Sequence, residues 1–189
     1  SFNNFTKLND AVLQTWAEIL RRIPDSRLFL KTNVFSHADA RAEALARIVA
    51  AGIPQERVDA EGASQDYLTA YNRVDIALDP FPYPGGGTTC DALYMGVPVV
   101  SLRGETHHAS RLGAAMLTAA GKSAWIAEDV RGYEQLAVRM AEDIGSVRAS
   151  RTALRAEVEK SALMDGAAYL SAATGEIERV WAERGDFAR

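Results

Sequence analysis

The chain has 189 residues, of which 48% are hydrophobic and 24% charged, and its formal net charge is −4. This length suffices for one domain with a full core, and the composition is that of an average soluble globular protein. The acidic balance argues against a general nucleic-acid binder, and no apolar run reaches the ~20 residues of a membrane span. The single cysteine, Cys90, excludes an internal disulfide and fits a reducing compartment, so we expect a cytoplasmic protein with neither nucleic-acid nor membrane partners.

The first half of the chain alternates helical and extended patterns. Apolar residues at helical spacing from Leu13 to Ile23, with Asn9 or Asp10 as N-cap, predict the first helix. Strands are predicted at 27–31 and, more weakly, at 58–60. The second helix is predicted at 39–50, with Gly52 as a suitable stop. A short helix capped by Ser64 is predicted at 65–72.

The second half continues this alternation. Strands are predicted at 75–79, 98–102 and 124–127. Helices are predicted at 89–95, 106–120, 132–144, 147–163 and 166–184. The pattern predicts an α/β fold in which a parallel sheet carries helices on both faces, within one domain spanning residues 1–189. Ligands in such folds bind outside the carboxyl ends of the strands.

A proline- and glycine-rich loop follows one of these strands. Residues 79–91 read Asp-Pro-Phe-Pro-Tyr-Pro-Gly-Gly-Gly-Thr-Thr-Cys-Asp and lead into a helix. Glycines permit close approach of a ligand to the backbone, and a helix N-terminus attracts anions. The loop is neither a Walker loop nor a dinucleotide fingerprint. It predicts a diphosphate cradle made by the N–H groups of Gly86, Gly87 and Thr88 and the hydroxyls of Thr88 and Thr89. A flexible loop with a threonine cap is the alternative.

Three further side chains have both a functional and an ordinary interpretation. The Lys7 ammonium would neutralise a leaving diphosphate, although most lysines are surface residues. The Asp91 carboxylate would accept ribose hydroxyls, or it would simply complement the dipole of its helix. Tyr67 would stack on a base, or it would be part of the core. Spacing alone favours the ordinary interpretation in each case.

The sequence contains no pattern typical of a metal site. His107 and His108 are adjacent, so on a helix they point about 100° apart and do not readily share one ion. There is neither an Asp-x-Asp pair nor a cluster of cysteine, histidine and carboxylate residues at ligand spacing. We therefore expect no metal and no cofactor. Cys90 is expected to be a small buried residue rather than a nucleophile.

Taken together, these segments resemble the O-linked N-acetylglucosaminyltransferases of glycosyltransferase family 41, and above all the bacterial members. The likeness covers nearly the whole chain in order, and its most specific parts are 2–8, 74–83, 85–93, 96–100, 104–106 and 110–111. It implies the GT-B architecture of two Rossmann-like lobes, of which this chain is the carboxyl-terminal one. It also implies as partners an amino-terminal catalytic lobe, absent from this chain, and upstream helical repeats.

The resemblance also implies an activity and a set of site residues. The donor is UDP-N-acetylglucosamine, transferred with inversion and without a metal to Ser or Thr hydroxyls of a protein or peptide acceptor. Lys7 matches the catalytic lysine on the diphosphate, and Asn4 matches a polar neighbour. The loop of Gly86, Gly87, Thr88 and Thr89 wraps the phosphates. Asp91 binds the ribose, and Tyr67 lies beside the uridine.

Two departures from the family pattern limit what is carried over. Animal members have a histidine where this chain has Gly86, and a lysine where it has Ser64. A sugar-nucleotide 2-epimerase and a non-catalytic nucleotide-sugar-binding module stay open as alternatives. No general base for the acceptor is recognised in this chain. Val180 and Trp181 of the last helix are expected to close the domain's own core, with packing against the partner lobe as the alternative.

Overall fold

A computed structural model describes residues 1–105 and 107–185. Thr106, which begins the helix predicted at 106–120 and ends the 104–106 segment, lies outside the described residues. The strands are β1 (Leu28–Lys31), β2 (Val58–Glu61), β3 (Ala77–Leu78), β4 (Val99–Leu102) and β5 (Ile126–Ala127). The helices are α1 (Asp10–Arg22), α2 (Ala38–Ala50), α3 (Gly87–Tyr94), α4 (Leu112–Ala119), α5 (Val130–Glu142), α6 (Ile144–Ala149), α7 (Arg151–Glu159) and α8 (Gly166–Gly185).

All strand pairs found among the described residues are parallel. β1 pairs with β2, and β3, β4 and β5 pair in that order. The predicted α/β fold with parallel strands is therefore confirmed. The hydrogen-bonded ladders nevertheless form a pair and a triplet rather than one continuous sheet.

Helices cover both faces of the strands, because successive strand residues point to opposite sides. On β4, Val100 belongs to a core cluster with Trp16 of α1 and Tyr133 of α5, and Val99 to a second one with Leu93 of α3. Within the first cluster the Trp16 indole N–H donates to the Tyr133 hydroxyl at 3.1 Å. The two clusters hold α1 and α5 on one face and α3, α4 and α7 on the other.

Local signals set several helix ends where the sequence predicted them. The Asn9 side chain caps α1 by accepting from the Val12 N–H at 2.9 Å. Its amide group also donates to the Phe81 carbonyl, which ties α1 to the proline loop. Gly52 has φ +99° after α2 and Gly96 has φ +72° after α3. Both conformations favour glycine, so these two residues stop their helices.

Three helix predictions were wrong in type or extent. The segment predicted as a helix at 65–72 is a 3₁₀ helix over Leu68–Arg73, and Ser64 does not cap it. The segment at 106–120 is a 3₁₀ turn, His108–Arg111, followed by the shorter α4. The segment at 147–163 is divided at Ser150 between α6 and α7.

Arg151 provides the physical reason for the division at Ser150. Its guanidinium donates to the carbonyls of Tyr71, Val74 and Met95 at 2.6, 3.1 and 3.1 Å. These bonds anchor the first residue of α7 beside β3 and α3, so the chain turns there instead of continuing the preceding helix.

The last helix does not close the core. The side chain of Trp181 is 80% exposed and that of Val180 is 40% exposed, so the expected packing into this domain was wrong. Tyr169, Leu170 and Ile177 of the same helix are also exposed. α8 therefore presents apolar side chains that the described part of the chain does not cover. None of the described helices combines the length and apolar character needed to cross a membrane.

Candidate functional site

The site is built around Asp79, the first residue after β3. Its side chain is 3% exposed. Its backbone N–H donates to the Val100 carbonyl at 3.0 Å, and its carbonyl accepts from the Tyr133 hydroxyl at 2.9 Å. Tyr133 in turn accepts from Trp16. A buried chain of hydrogen bonds therefore fixes the end of the strand against α1, α5 and β4.

The Asp79 carboxylate holds the glycine loop in place. It accepts from the Gly85 N–H at 3.3 Å and from the Thr89 hydroxyl at 3.0 Å. Burial raises the pKa of Asp79 to about 6, although the bonds from Thr89 and Gly85 and the charge of Lys7 favour the ionised form. The sequence motif contains Asp79 but did not predict this role. The available signal was a carboxylate at a strand end, six residues before the first glycine.

This buried carboxylate predicts a pH dependence of stability. The pKa of Asp79 is about 6 in the folded chain against an ordinary 3.8, so between these values the folded state binds more protons than the unfolded state. The free energy of unfolding contributed by this group therefore falls as pH rises from about 4 to about 6, by at most ~3 kcal/mol. The free energy of unfolding, measured with urea at several pH values in this range, should fall less steeply with rising pH in Asp79→Asn than in the parent chain. Identical slopes would contradict the assignment.

Three backbone N–H groups at the start of α3 are left without an acceptor among the described residues. Gly86 is its N-cap, and no side chain caps this helix. The N–H groups of Thr89 and Cys90 both donate to the Gly86 carbonyl. Those of Gly86, Gly87 and Thr88 donate to no acceptor within residues 1–105 and 107–185. These three donors, at the positive end of the helix dipole, are therefore available to an anion.

Lys7 lies against the same loop. It ends a 3₁₀ helix, Phe5–Lys7, and its Nζ donates to the Pro84 carbonyl at 2.9 Å. The ammonium also sits 4.2 Å from the centre of the Tyr83 ring. Partial burial lowers the pKa of Lys7, opposed by the nearby Asp79 charge. Contacts with the glycine loop thus fix the position of the Lys7 ammonium.

The two asparagines before Lys7 have different roles. Asn4 is exposed and caps the Phe5–Lys7 helix by accepting from the Thr6 N–H at 3.1 Å. Asn3 is buried, and its Oδ1 accepts from the Thr88 hydroxyl at 3.0 Å and lies 3.5 Å from Lys7 Nζ. Asn3 is therefore the residue that joins the lysine segment to the glycine loop, and sequence inspection missed it.

Both loop threonines use their hydroxyls to hold the loop. Thr89 is 1% exposed and gives its hydroxyl to Asp79. Thr88 gives its hydroxyl to Asn3. The donors left open for a phosphate are therefore the backbone N–H groups rather than the threonine hydroxyls that the sequence also suggested.

Tyr67 and Asp91 lie together on the helix side of the loop. The Tyr67 hydroxyl donates to Asp91 Oδ2 at 3.0 Å, and this bond raises the pKa of Tyr67. The Tyr67 side chain is 38% exposed. Tyr71, four residues on, is buried and donates to the Thr88 carbonyl at 3.1 Å. Tyr67 and Asp91 therefore form an accessible pair beside the loop, whereas Tyr71 supports the loop from within.

The remaining candidates contribute little to this arrangement. Among the described residues no group of three or more histidine, cysteine or acidic side chains is placed to hold a metal ion. His107 and His108 are exposed. Cys90 is half-buried with its sulfur 3.7 Å from that of Met116, and burial raises the pKa of its thiol.

Comparison with known proteins identifies the family of this chain. The sequence model of glycosyl transferase family 41 matches residues 1–173. A Petunia hybrida protein named probable UDP-N-acetylglucosamine–peptide N-acetylglucosaminyltransferase SPINDLY is 37% identical over 184 residues, which are 96% of this chain and 20% of that protein. The UDP-N-acetylglucosamine–peptide N-acetylglucosaminyltransferase of Caenorhabditis elegans is 24% identical over 188 residues, 96% of this chain and 16% of that protein.

A solved structure shows the same likeness. A mutant of the Thermobaculum terrenum O-GlcNAc transferase superposes with a TM-score of 0.89 at 28% identity, covering 100% of this chain and 36% of that chain. The chain thus spans about a third of that solved structure and about a fifth of the Petunia protein.

Proposed function

Because this chain belongs to glycosyl transferase family 41, we propose that residues 1–189 are the carboxyl-terminal, nucleotide-sugar-binding lobe of a GT-B transferase. The longer protein would transfer N-acetylglucosamine from UDP-N-acetylglucosamine to Ser or Thr hydroxyls of proteins. The observation that supports this most directly is the cluster of open N–H donors at the start of α3 beside the Lys7 ammonium. A diphosphate is the part of such a donor that this cluster fits.

The proposed chemistry is an inverting displacement at the anomeric carbon. The acceptor oxygen forms a bond to that carbon while the bond to the phosphate oxygen breaks, and negative charge grows on the departing UDP. Lys7 and the N–H groups of Gly86, Gly87 and Thr88 would stabilise this charge more strongly in the transition state than in the ground state, as catalysis requires. With these donors we propose that no metal takes part. We place the base that removes the acceptor proton in the longer protein's other lobe.

The nucleotide end would lie along Tyr67 and Asp91. Asp91 accepts from Tyr67 through one carboxylate oxygen, and its other oxygen has no donor in the part of the chain that the structure describes. We propose that this oxygen accepts from a ribose hydroxyl. The half-exposed Tyr67 ring would then border the base.

Asp91→Asn should weaken binding of UDP by about tenfold, because a hydrogen bond to a charged group contributes roughly 1.5–3 kcal/mol. Isothermal titration of the protein with UDP measures this dissociation constant. Asp75→Asn is the matched control, since Asp75 precedes β3 at the other end of the strand and pairs with Arg148 on the surface. Equal affinities for the two variants would remove Asp91 from the nucleotide site.

The activity is tested in the longer protein that contains both lobes. Incubation with UDP-N-acetylglucosamine and a protein acceptor should add one N-acetylhexosamine mass to the acceptor. An isomerised free sugar nucleotide would support the epimerase alternative. Binding without transfer or donor hydrolysis would support a non-catalytic module. Titration with GDP alongside UDP checks the base, and tighter binding of GDP would overturn the assignment of the donor.

The exposed side of α8 is the surface we propose for the partner lobe. It carries Tyr169, Leu170, Ile177 and Trp181, none of which this domain buries. Large exposed apolar side chains grouped on one element are typical of interaction surfaces. The matched solved structure extends well beyond the 36% that this chain covers, which leaves ample chain to cover the helix. For location we propose the cytoplasm, in agreement with the single cysteine.

A further inference from the structure

The two oxygens of the Asp79 carboxyl group have different surroundings. Oδ1 accepts from the Gly85 N–H at 3.3 Å, and the Thr89 hydroxyl lies 3.0 Å from Oδ1 and 3.1 Å from Oδ2. Oδ2 lies on the side of α4, because a Cβ on Gly113 would come within 2.9 Å of it and closer still to Ser101 Oγ. Oδ1 therefore faces the glycine loop, and Oδ2 faces the Ser101 hydroxyl of β4.

The Ser101 hydroxyl is buried without a settled partner. Its side chain is 0% exposed, and its Oγ makes no well-formed hydrogen bond within residues 1–105 and 107–185. It nevertheless lies near enough to Asp79 to favour the ionised carboxylate. A hydroxyl group donates as readily as it accepts. Ser101 is therefore suited both to donate to ionised Asp79 and to accept from the O–H of a protonated Asp79.

The side-chain charges at the open N–H groups do not match a doubly negative diphosphate. Lys7 contributes a positive charge and ionised Asp79 a negative one, so the two cancel. The Gly85 N–H is bonded to Asp79, and the next N–H along the chain, that of Gly86, is open. An anion on Gly86 would thus lie within about 10 Å of the carboxylate. At that distance and an effective dielectric constant of about 20, one negative charge raises the proton affinity of another group by about tenfold.

The other titratable groups that face Asp79 are uncharged near neutral pH. Burial raises the pKa of the Tyr71 and Tyr133 hydroxyls and of the Cys90 thiol, so all three stay protonated. Burial lowers the pKa of the Ser1 amine to about 5, so that group is mostly neutral. Burial raises the pKa of Asp79 itself to about 6, so this carboxyl group gains a proton more easily than an exposed one.

We propose that a diphosphate binding at the start of α3 makes Asp79 take up one proton from the solvent, which leaves the positive charge of Lys7 unopposed. Oδ2 would carry the proton and donate it to Ser101 Oγ. Oδ1 would keep its bond from Gly85, so the loop would keep its shape. A neutral Asp79 also opposes the charge that grows on the departing UDP less than an ionised one would. This inference rests on the proposed nucleotide-sugar site.

The test measures proton uptake on binding in the longer protein that contains both lobes. UDP-N-acetylglucosamine is the probe, because its diphosphate is esterified at both ends and does not titrate between pH 6 and 7.5. Calorimetric titration at pH 6.5 in two buffers of different ionisation enthalpy gives the number of protons taken up. The parent should take up about half a proton more per site than Asp79→Asn. Its dissociation constant should also be about fourfold lower at pH 6 than at pH 7.5, and that of Asp79→Asn should not change.

Asp79→Asn also separates this role from a simple holding of the loop. The asparagine Oδ1 accepts from Gly85 as before, and its Nδ2 donates to Ser101 as the protonated carboxyl group would. This variant should therefore bind the donor about fivefold more tightly than the parent at pH 7.5. Weaker binding would show that the loop needs the ionised carboxylate, and the proposal would be overturned.

The matched control is His107→Gln combined with His108→Gln, since both side chains are exposed in the segment before α4. Proton uptake should be the same as in the parent. Loss of uptake in this variant would assign the proton to the histidines and overturn the proposal.

Infrared spectroscopy of the parent supplies a readout that needs no variant at Asp79. The difference spectrum with and without UDP-N-acetylglucosamine should gain the C=O band of a protonated carboxyl group and lose a carboxylate band. Binding with neither this band nor proton uptake would overturn the proposal and leave the transferase assignment intact. A parent protein that does not bind the donor would instead overturn the proposed function, and this inference with it.

Discussion

Replacing Lys7 with alanine should lower kcat for sugar transfer in the full-length protein by about 10²–10³-fold, the usual cost of removing one donor that stabilises developing charge. The ammonium rests on the Pro84 carbonyl and the Tyr83 ring, so the loop itself holds it beside the open N–H groups of α3. Its contribution should grow as the glycosidic bond breaks. The fall in kcat should therefore exceed any rise in KM for the donor.

Two companion variants separate charge from packing. Lys7→Met keeps most of the aliphatic stem that packs beside Tyr83 and removes only the charge, so it should lose nearly as much activity as alanine. Lys160→Ala removes an exposed lysine after α7 and should leave transfer unchanged. Steady-state rates with UDP-N-acetylglucosamine and a protein acceptor supply the readout. If Lys7→Ala retains both transfer and UDP affinity, the diphosphate does not lie at this loop.

Elements with a local signal of their own were predictable from sequence. α1 has its Asn9 cap and helical apolar spacing, and α3 has Gly96 at its end, so both lie within two residues of their predicted bounds. The conformation over Leu68–Arg73 was not predictable. It is set by distant contacts, in which Tyr71 reaches the Thr88 carbonyl and Arg151 reaches that of Tyr71. Tertiary contacts of this kind commonly override the intrinsic helix propensity of a segment.

The sequence indicated which residues would lie near the glycine loop, but not how they are bonded to one another. The order of Lys7, the glycine loop and Asp91 is visible in the chain, and parallel topology implies that strand-end loops meet. The direction of a side chain within a turn cannot be read from the sequence, because a shift of one residue along the chain changes which side chain faces the loop. Asn3 rather than Asn4 therefore contacts Thr88. The same limitation concealed the bond from Thr89 to Asp79.

Gly85→Ala should disable the loop more thoroughly than loss of any single hydroxyl. A Cβ at this position would lie 2.7 Å from Asp79 Oδ1 and 2.8 Å from Thr88 Oγ1, and closer still to Thr89 Oγ1. The bonds that hold the open N–H groups in place would have to break. We expect the free energy of unfolding to fall by about 1–3 kcal/mol, as in overpacked cores. UDP affinity should fall by about tenfold or more, since each factor of ten needs only ~1.4 kcal/mol.

Two controls test whether the effect of Gly85→Ala arises from the Asp79 network. Gly145→Ala lies in α6 with nothing within 4 Å of the added carbon, so its free energy of unfolding should not fall and should rise by up to about 1 kcal/mol, because alanine favours a helix over glycine. The second control adds Gly85→Ala to Thr89→Ala, which lacks the hydroxyl that the new methyl group meets most closely. Contacting residues are not additive, so Gly85→Ala should cost less in that background by about 0.5 kcal/mol or more. Strict additivity in urea unfolding would mean that Gly85 acts independently of the Asp79–Thr89 bond, and the loop would then need another explanation for its shape.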